Sequence, residues 1–203
     1  RHAYHDKIHV LTPSQNFKVA LKQLNLQVLL GILIHALHLP GTSAREFRRI
    51  WQSLKERDML NMHELGEAIR NWHCNQHVRD ALFSRYYALV NSGFFTDNTG
   101  GTILLEECLF DAKEHGGAMI LNLRNTSSID RQIVVEYVLG KLVELLTSWK
   151  LRAVFLFAEE AHLYLRETYW DDIVTRMRHL GIFTTFITNQ PDTIRENIYR
   201  QAD

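Results

Sequence analysis

Residues 153–162 read Ala153-Val154-Phe155-Leu156-Phe157-Ala158-Glu159-Glu160-Ala161-His162. An apolar run without polar alternation predicts a strand covered on both faces, as in a parallel sheet flanked by helices. Such strands present their chemistry at the carboxyl end, in the crevice outside the sheet. Glu159 and Glu160 fall at that end. Two carboxylates there suit a metal ion and a water that must be oriented or deprotonated. The same pair also suits the opening of a helix, where the dipole favours negative charge. The stretch itself leaves both readings open.

Working outward, Ile182-Phe183-Thr184-Thr185-Phe186-Ile187-Thr188 predicts a second strand, ending in Asn189-Gln190-Pro191. Upstream, Ala118-Met119-Ile120-Leu121-Asn122-Leu123 predicts another. A long amphipathic helix should run from Ser127 or Ser128 to about Trp149. Its apolar positions are Ile129, Ile133, Val134, Tyr137, Val138, Leu142, Leu145 and Leu146. A further helix is expected near 169–180. Strands separated by single helices imply right-handed crossovers and a parallel sheet. If the last two strands are neighbours, Gln190 lies beside the carboxylates. Its amide can donate to a phosphate oxygen and accept from a water. It can equally be a polar residue that opens the turn before Pro191.

The organisation changes near residue 102, which divides the chain into 1–101 and 102–203. In the first part, Lys7-Ile8-His9-Val10-Leu11 predicts a short strand closed by Thr12-Pro13. Residues 17 to about 92 then carry a helical pattern that reads as a subdomain or insertion. The apolar stretch from Val28 to Leu39 is too short and too polar to span a bilayer, so a buried helix is expected. Ser43-Ala44-Arg45-Glu46 has the form of a capping box opening a helix to about Arg57. Asn61-Met62-His63-Glu64 is a looser box opening a helix to about Trp72. A third helix is expected from about Gln76 to Asn91, with Gly93 as its stop. A helix over 104–115 should break at Gly116-Gly117.

The formal net charge is zero, from 23 basic and 23 acidic residues, which excludes a protein that coats nucleic acid by bulk charge. With 46% hydrophobic residues in a chain of 203 there is material for a substantial core. Two cysteines, Cys74 and Cys108, imply no disulfide framework and point to a reducing, cytoplasmic setting. The chain opens Arg1-His2-Ala3 with no signal-peptide pattern, and flanking sequence is expected beyond it.

Several other clusters have a chemical reading beside a structural one. His73-Cys74-x-x-His77, with His63 nearby, has part of a zinc spacing, but a structural zinc site needs four ordered ligands. Arg45, Arg48, Arg49, Lys55 and Arg57 form a basic stripe that suits either solvent or a phosphate backbone. Arg176 and Arg178 precede Gly181 at a helix end, where the dipole favours cations. A catalytic reading of Arg178 needs a neighbouring subunit, toward whose nucleotide it would project. Glu106-Glu107 and Asp171-Asp172 fall within helical patterns and read as surface charge.

Three segments taken together are similar to a known family. Phe155-Leu156-Phe157-Ala158-Glu159-Glu160-Ala161-His162, then Arg178-His179-Leu180-Gly181, then Thr188-Asn189-Gln190-Pro191 resemble the HerA/FtsK superfamily of P-loop ATPases. The HerA-like branch is the nearest in pattern. Gly117-Ala118-Met119-Ile120-Leu121-Asn122-Leu123 with Arg131-Gln132 also resembles the family's preceding strand and helix. The likeness covers about 104–203 and is weak over 13–100.

The resemblance implies an α/β, RecA-like P-loop NTPase core with a parallel sheet, plus a helical insertion. It implies ATP and magnesium as cofactors. Glu159 would be the acid that holds magnesium through water, and Glu160 the base that polarises the attacking water. Gln190 would sense the γ-phosphate, and Arg178 would be an arginine finger given to the next subunit. It implies a hexameric ring acting on DNA as a translocase or helicase, in some members with a nuclease partner, and not a membrane protein. One departure from the family is large. No Gly-x-x-x-x-Gly-Lys-Ser/Thr loop occurs, and Gly140-Lys141 lies inside a helical pattern. The loop is expected upstream of Arg1. Two alternatives remain. One is a non-catalytic, ATPase-like scaffold subunit of a nucleic-acid-processing or defence complex. The other is a metal-dependent nuclease using Glu159 and Glu160.

Overall fold

The apolar run folds as the predicted strand. The structure is a computed structural model, described over residues 7–98, 100, 102–163, 179–194 and 196–200. Strand β3 (Val154–Glu159) pairs in parallel with β4 (Ile182–Ile187). The register sets Val154 opposite Ile182 and Glu159 opposite Ile187. Gly181 turns the chain into β4 at φ +85°, and its carbonyl accepts the Val154 N–H at 2.9 Å. A Cβ at this position would lie 2.5 Å from the Arg152 carbonyl oxygen, so only glycine fits.

A second parallel ladder joins β1 (Ile8–Leu11) to β2 (Ala118–Leu121), with Ile8 opposite Ala118. All the elements between them are helical. Helix α1 (Leu26–Gly31) is capped by the Asn25 side chain and runs into a wider π-type turn over Ile32–Ala36. Helices α2 (Gly41–Glu56), α3 (Met62–Asn71) and α4 (Gln76–Asn91) follow, then α5 (Leu105–His115). Helices α1 to α5 thus lie in the chain between two paired strands.

The α3 boundaries follow from its cap, since the Asn61 side chain accepts the Glu64 N–H at 2.8 Å. Gly93 stops α4 at φ +63° and Gly116 stops α5 at φ +70°. The α2 start differs from the sequence expectation. It begins at Gly41 after Pro40, and Ser43 is buried inside the first turn and does not cap it. Proline before the first turn fixes the entry without a side-chain cap. The basic stripe stays exposed on α2, where Arg49 pairs with Glu46 at 3.0 Å.

Helix α6 (Ser128–Thr147) is capped by Ser127, whose hydroxyl accepts the Asp130 N–H at 3.1 Å. Its predicted apolar stripe is buried at Ile133, Val134, Tyr137, Val138, Leu142, Leu145 and Leu146, while Ile129 is exposed. Lys141 is buried in this helix with its Nζ 3.1 Å from the Glu144 carboxylate. Gly140-Lys141 is therefore helical and does not form a phosphate loop. A 3₁₀ turn at Pro191–Thr193 and a short helix α7 (Glu196–Tyr199) follow β4.

The chain divides into two compact units, Arg1–Val138 and Leu139–Asp203. The first is built round Phe17, Phe94 and Tyr137, with ring centroids 5.1–5.9 Å apart. The second contains β3 and β4, and one face of that ladder is open. Phe155 and Phe157 are 73% and 67% exposed, beside Phe183 and Ile187. The expectation of cover on both faces is not met among the described residues, where Val154, Leu156 and Ala158 are half-buried and the alternate side chains are exposed. No helix among the described residues is long and apolar enough to cross a membrane.

Candidate functional site

The register of β3 and β4 sets the strand end at Glu159 beside the strand end at Ile187. Glu159 ends β3 and is exposed, on the same face as Phe155 and Phe157. Glu160 follows in the left-handed region at φ +53°. A non-glycine residue held there costs about 1–3 kcal/mol, a conformation that Ser14, His38, Asp58 and Trp149 share. The Glu160 carbonyl accepts the Leu163 N–H at 2.9 Å, closing a 3₁₀ turn over Ala161–Leu163. That turn drives Ala161 and His162 inward and leaves the Glu160 side chain 54% exposed.

His162, only 5% exposed, ties the two strand ends together. Its Nδ1 lies 3.0 Å from Thr188 Oγ1 and 3.5 Å from Glu160 Oε2. The same Thr188 hydroxyl accepts the Gln190 N–H at 3.0 Å. The Gln190 carbonyl accepts from the Thr193 hydroxyl at 2.8 Å and from the Thr193 N–H at 3.2 Å. The Gln190 backbone is therefore held at three bonds while its side chain stays exposed. Gln190 thus opens the Pro191 turn, two residues beyond the Thr188 that His162 meets.

The site offers a half-exposed carboxylate, a second carboxylate one residue away, an amide that donates and accepts, and a buried imidazole. These groups can take a proton from water or approach a cation through its water shell. Magnesium favours one or two carboxylates plus ligand phosphates over a complete protein cage, and the exposed Glu159 carboxylate suits that demand. Among the described residues no group of three or more His, Cys, Asp or Glu side chains could hold a metal on its own. His63 is exposed beside Glu64, and the His73, Cys74 and His77 segment leads into α4, where Asn75 accepts the His77 N–H at 2.8 Å. Arg176 and Arg178 lie outside the described residues.

Sequence reasoning missed His162 and Thr188. Their signal was the Ala161-His162 pair after the carboxylates and the threonine two residues before Gln190. It also missed a clamp in the other unit. Asp111 on α5 meets His9 Nε2 at 2.8 Å and His115 Nδ1 at 2.9 Å. The His9 bond, then the His115 bond, holds the Asp111 carboxyl below its ordinary value. A polar cavity of about 300 Å³ opens beyond β1 and β2, lined by Thr12, Pro13, Gln15, Asn122, Asn125 and Thr126.

No protein-family model and no curated protein matches the sequence. Solved structures do match. The unbound monoclinic form of the bacterial conjugative coupling protein TrwB (deltaN70) superposes with a TM-score of 0.63 at 13% identity. The match covers 97% of this chain and 56% of that one. The plasmid coupling protein TrwB in complex with the non-hydrolysable GTP analogue GDPNP gives a TM-score of 0.63 at 12% identity, covering 97% and 57%. The chain thus spans a little over half the length of these structures. It has the α/β, RecA-like fold of the TrwB coupling protein.

Proposed function

We propose that this chain is part of a nucleotide-hydrolysing motor of the FtsK/HerA type. The observation that carries the reading is that Glu160 and Gln190 follow adjacent ends of two parallel strands, with His162 and Thr188 between them. The shared fold supports it, since one TrwB structure holds a nucleotide analogue. In this reading ATP and magnesium bind at that edge. The bound magnesium supplies charge neutralisation at the phosphates. Glu159 would hold its water shell, Glu160 would serve as the base toward a water, and the Gln190 amide would be the group that senses the terminal phosphate.

Arg178 is assigned to the next subunit's nucleotide. A hexameric ring, DNA as the polymer, the HerA-like branch and a nuclease partner rest on the family resemblance. The sequence contains no phosphate-binding loop, so the reading places that loop outside these 203 residues. The missing loop is also what favours the second reading, a scaffold subunit that keeps the fold without hydrolysis.

Titration of the assembled full-length protein with a non-hydrolysable ATP analogue, with and without duplex DNA, separates the two. The motor reading expects saturable, magnesium-dependent binding and DNA-stimulated ATP hydrolysis. No binding under these conditions contradicts it and leaves the scaffold.

A further inference from the structure

Glu160 and Gln190 are linked by one 3.5 Å contact and two hydrogen bonds through two residues to which the family resemblance assigns no role. Thr188 Oγ1 stands between His162 Nδ1 and the Gln190 N–H, each at 3.0 Å. A hydroxyl has one proton to give and two lone pairs to receive with. One lone pair is taken by Gln190. What passes between Thr188 and His162 then depends on which ring nitrogen carries the proton, that is, on the tautomer. When Nδ1 carries no proton, the hydroxyl donates to it, and the nitrogen lone pair repels Glu160 Oε2 at 3.5 Å. When Nδ1 is protonated, it donates to the hydroxyl and attracts the same carboxylate oxygen. The imidazole is buried, so water does not substitute for either partner at low cost. Glu160 itself sits in a left-handed turn that fixes its backbone, leaving only its side chain free to respond.

We propose that His162 and Thr188 are positioning residues that couple the Glu160 carboxylate to the Gln190 backbone through the shared proton site at His162 Nδ1. The inference rests on the reading of Glu160 and Gln190 given above. It assigns the buried histidine a task that neither packing nor the acidic pair accounts for. Removing the Thr188 hydroxyl breaks both links at once while leaving the side chain's volume nearly unchanged.

The test compares Thr188→Val, Thr188→Ser and Glu160→Gln in the assembled full-length protein. For Thr188→Val, the loss of a part-buried hydrogen bond of ordinary strength predicts a fall in kcat of about 5- to 20-fold. KM and the dissociation constant of a non-hydrolysable analogue should stay within about twofold, as expected when ground-state binding is untouched. Thr188→Ser should restore kcat. Histidine-selective isotope labelling adds a readout independent of turnover. The His162 ring signal, assigned by its loss in His162→Asn, should report a changed tautomer balance in Thr188→Val and the parent balance in Thr188→Ser.

An unchanged His162 signal in Thr188→Val overturns the relay. So does a kcat within about twofold of the parent while Glu160→Gln is inactive, and in that case the reading of Glu160 survives. Equal losses in Thr188→Val and Thr188→Ser with a lowered melting temperature indicate packing alone and also overturn it. Full turnover by Glu160→Gln overturns the underlying reading, and the relay's role in hydrolysis with it.

Discussion

Glu159 and Ile187 are register partners in the parallel ladder, which places the residues after them, Glu160 and Thr188, side by side at one edge. His162 Nδ1 then reaches the side chains of both. The acidic pair is thereby divided by backbone geometry. Glu159 continues the exposed face of β3, whereas Glu160 leaves the strand in a left-handed turn.

That turn predicts a separation of stability from activity at Glu160. Replacing it by glycine removes the cost of holding a side chain at φ +53°, about 1–2 kcal/mol for an L-residue. Part of that gain is offset by the entropy glycine loses on folding. Glu160→Gly should therefore melt at or slightly above the parent temperature while hydrolysis is lost. A clear drop in melting temperature would show that the carboxylate is needed for folding.

Gly181 predicts the opposite behaviour. At φ +85°, with the Arg152 carbonyl 2.5 Å from any Cβ, Gly181→Ala must move backbone. Strain and overpacking of this kind cost about 1–3 kcal/mol or more. The denaturant midpoint should fall accordingly. A neutral substitution would contradict the geometry at the start of β4.

Asp111 predicts a pH dependence in the other unit. Its folded value is lowered by His9 first and His115 second. A lowered carboxyl contributes stability that is present above its unfolded value, near pH 4. That contribution is lost as pH falls through the lower folded value. The stability gap between the parent and Asp111→Asn should thus be present at neutral pH and close below about pH 4. A gap that stays constant through the acid range would refute the clamp.

The open face of β3 and β4 predicts surface behaviour. Phe155, stacked on Phe183 at 5.3 Å, and Phe157 are both largely exposed. Contiguous apolar surface of this kind binds hydrophobic probes. The 203-residue chain alone should bind an environment-sensitive apolar dye, and Phe155→Thr with Phe157→Thr should reduce that binding several-fold. Equal binding by both proteins would place the exposed surface elsewhere.

The strands at this edge were legible because β3 is a continuous apolar run ending abruptly at Glu159 and Glu160, and β4 is a β-branched and aromatic run closed by Asn189-Gln190-Pro191. Local chemistry also revealed α3, whose Asn61 cap acts within four residues. The pairing of β1 with β2 was not legible, because the partners Ile8 and Ala118 are separated by helices α1 to α5. Nor was the turn at Glu160, since glutamate carries no preference for a left-handed backbone. Ser43 misled because a capping pattern is only local, and Pro40 sets the helix start earlier. His162 was visible as a residue but not as a bridge, because its partner Thr188 lies on another strand.

The most direct test of the central claim is ATP turnover by the assembled full-length protein carrying Glu160→Gln. This substitution keeps the size of the side chain and most of its contacts but removes its capacity to take a proton. Proton transfer by a positioned side chain contributes about 10²–10⁴-fold. The account predicts a fall in kcat of at least about a hundredfold with nucleotide-analogue affinity retained. Turnover equal to that of the parent protein would contradict it.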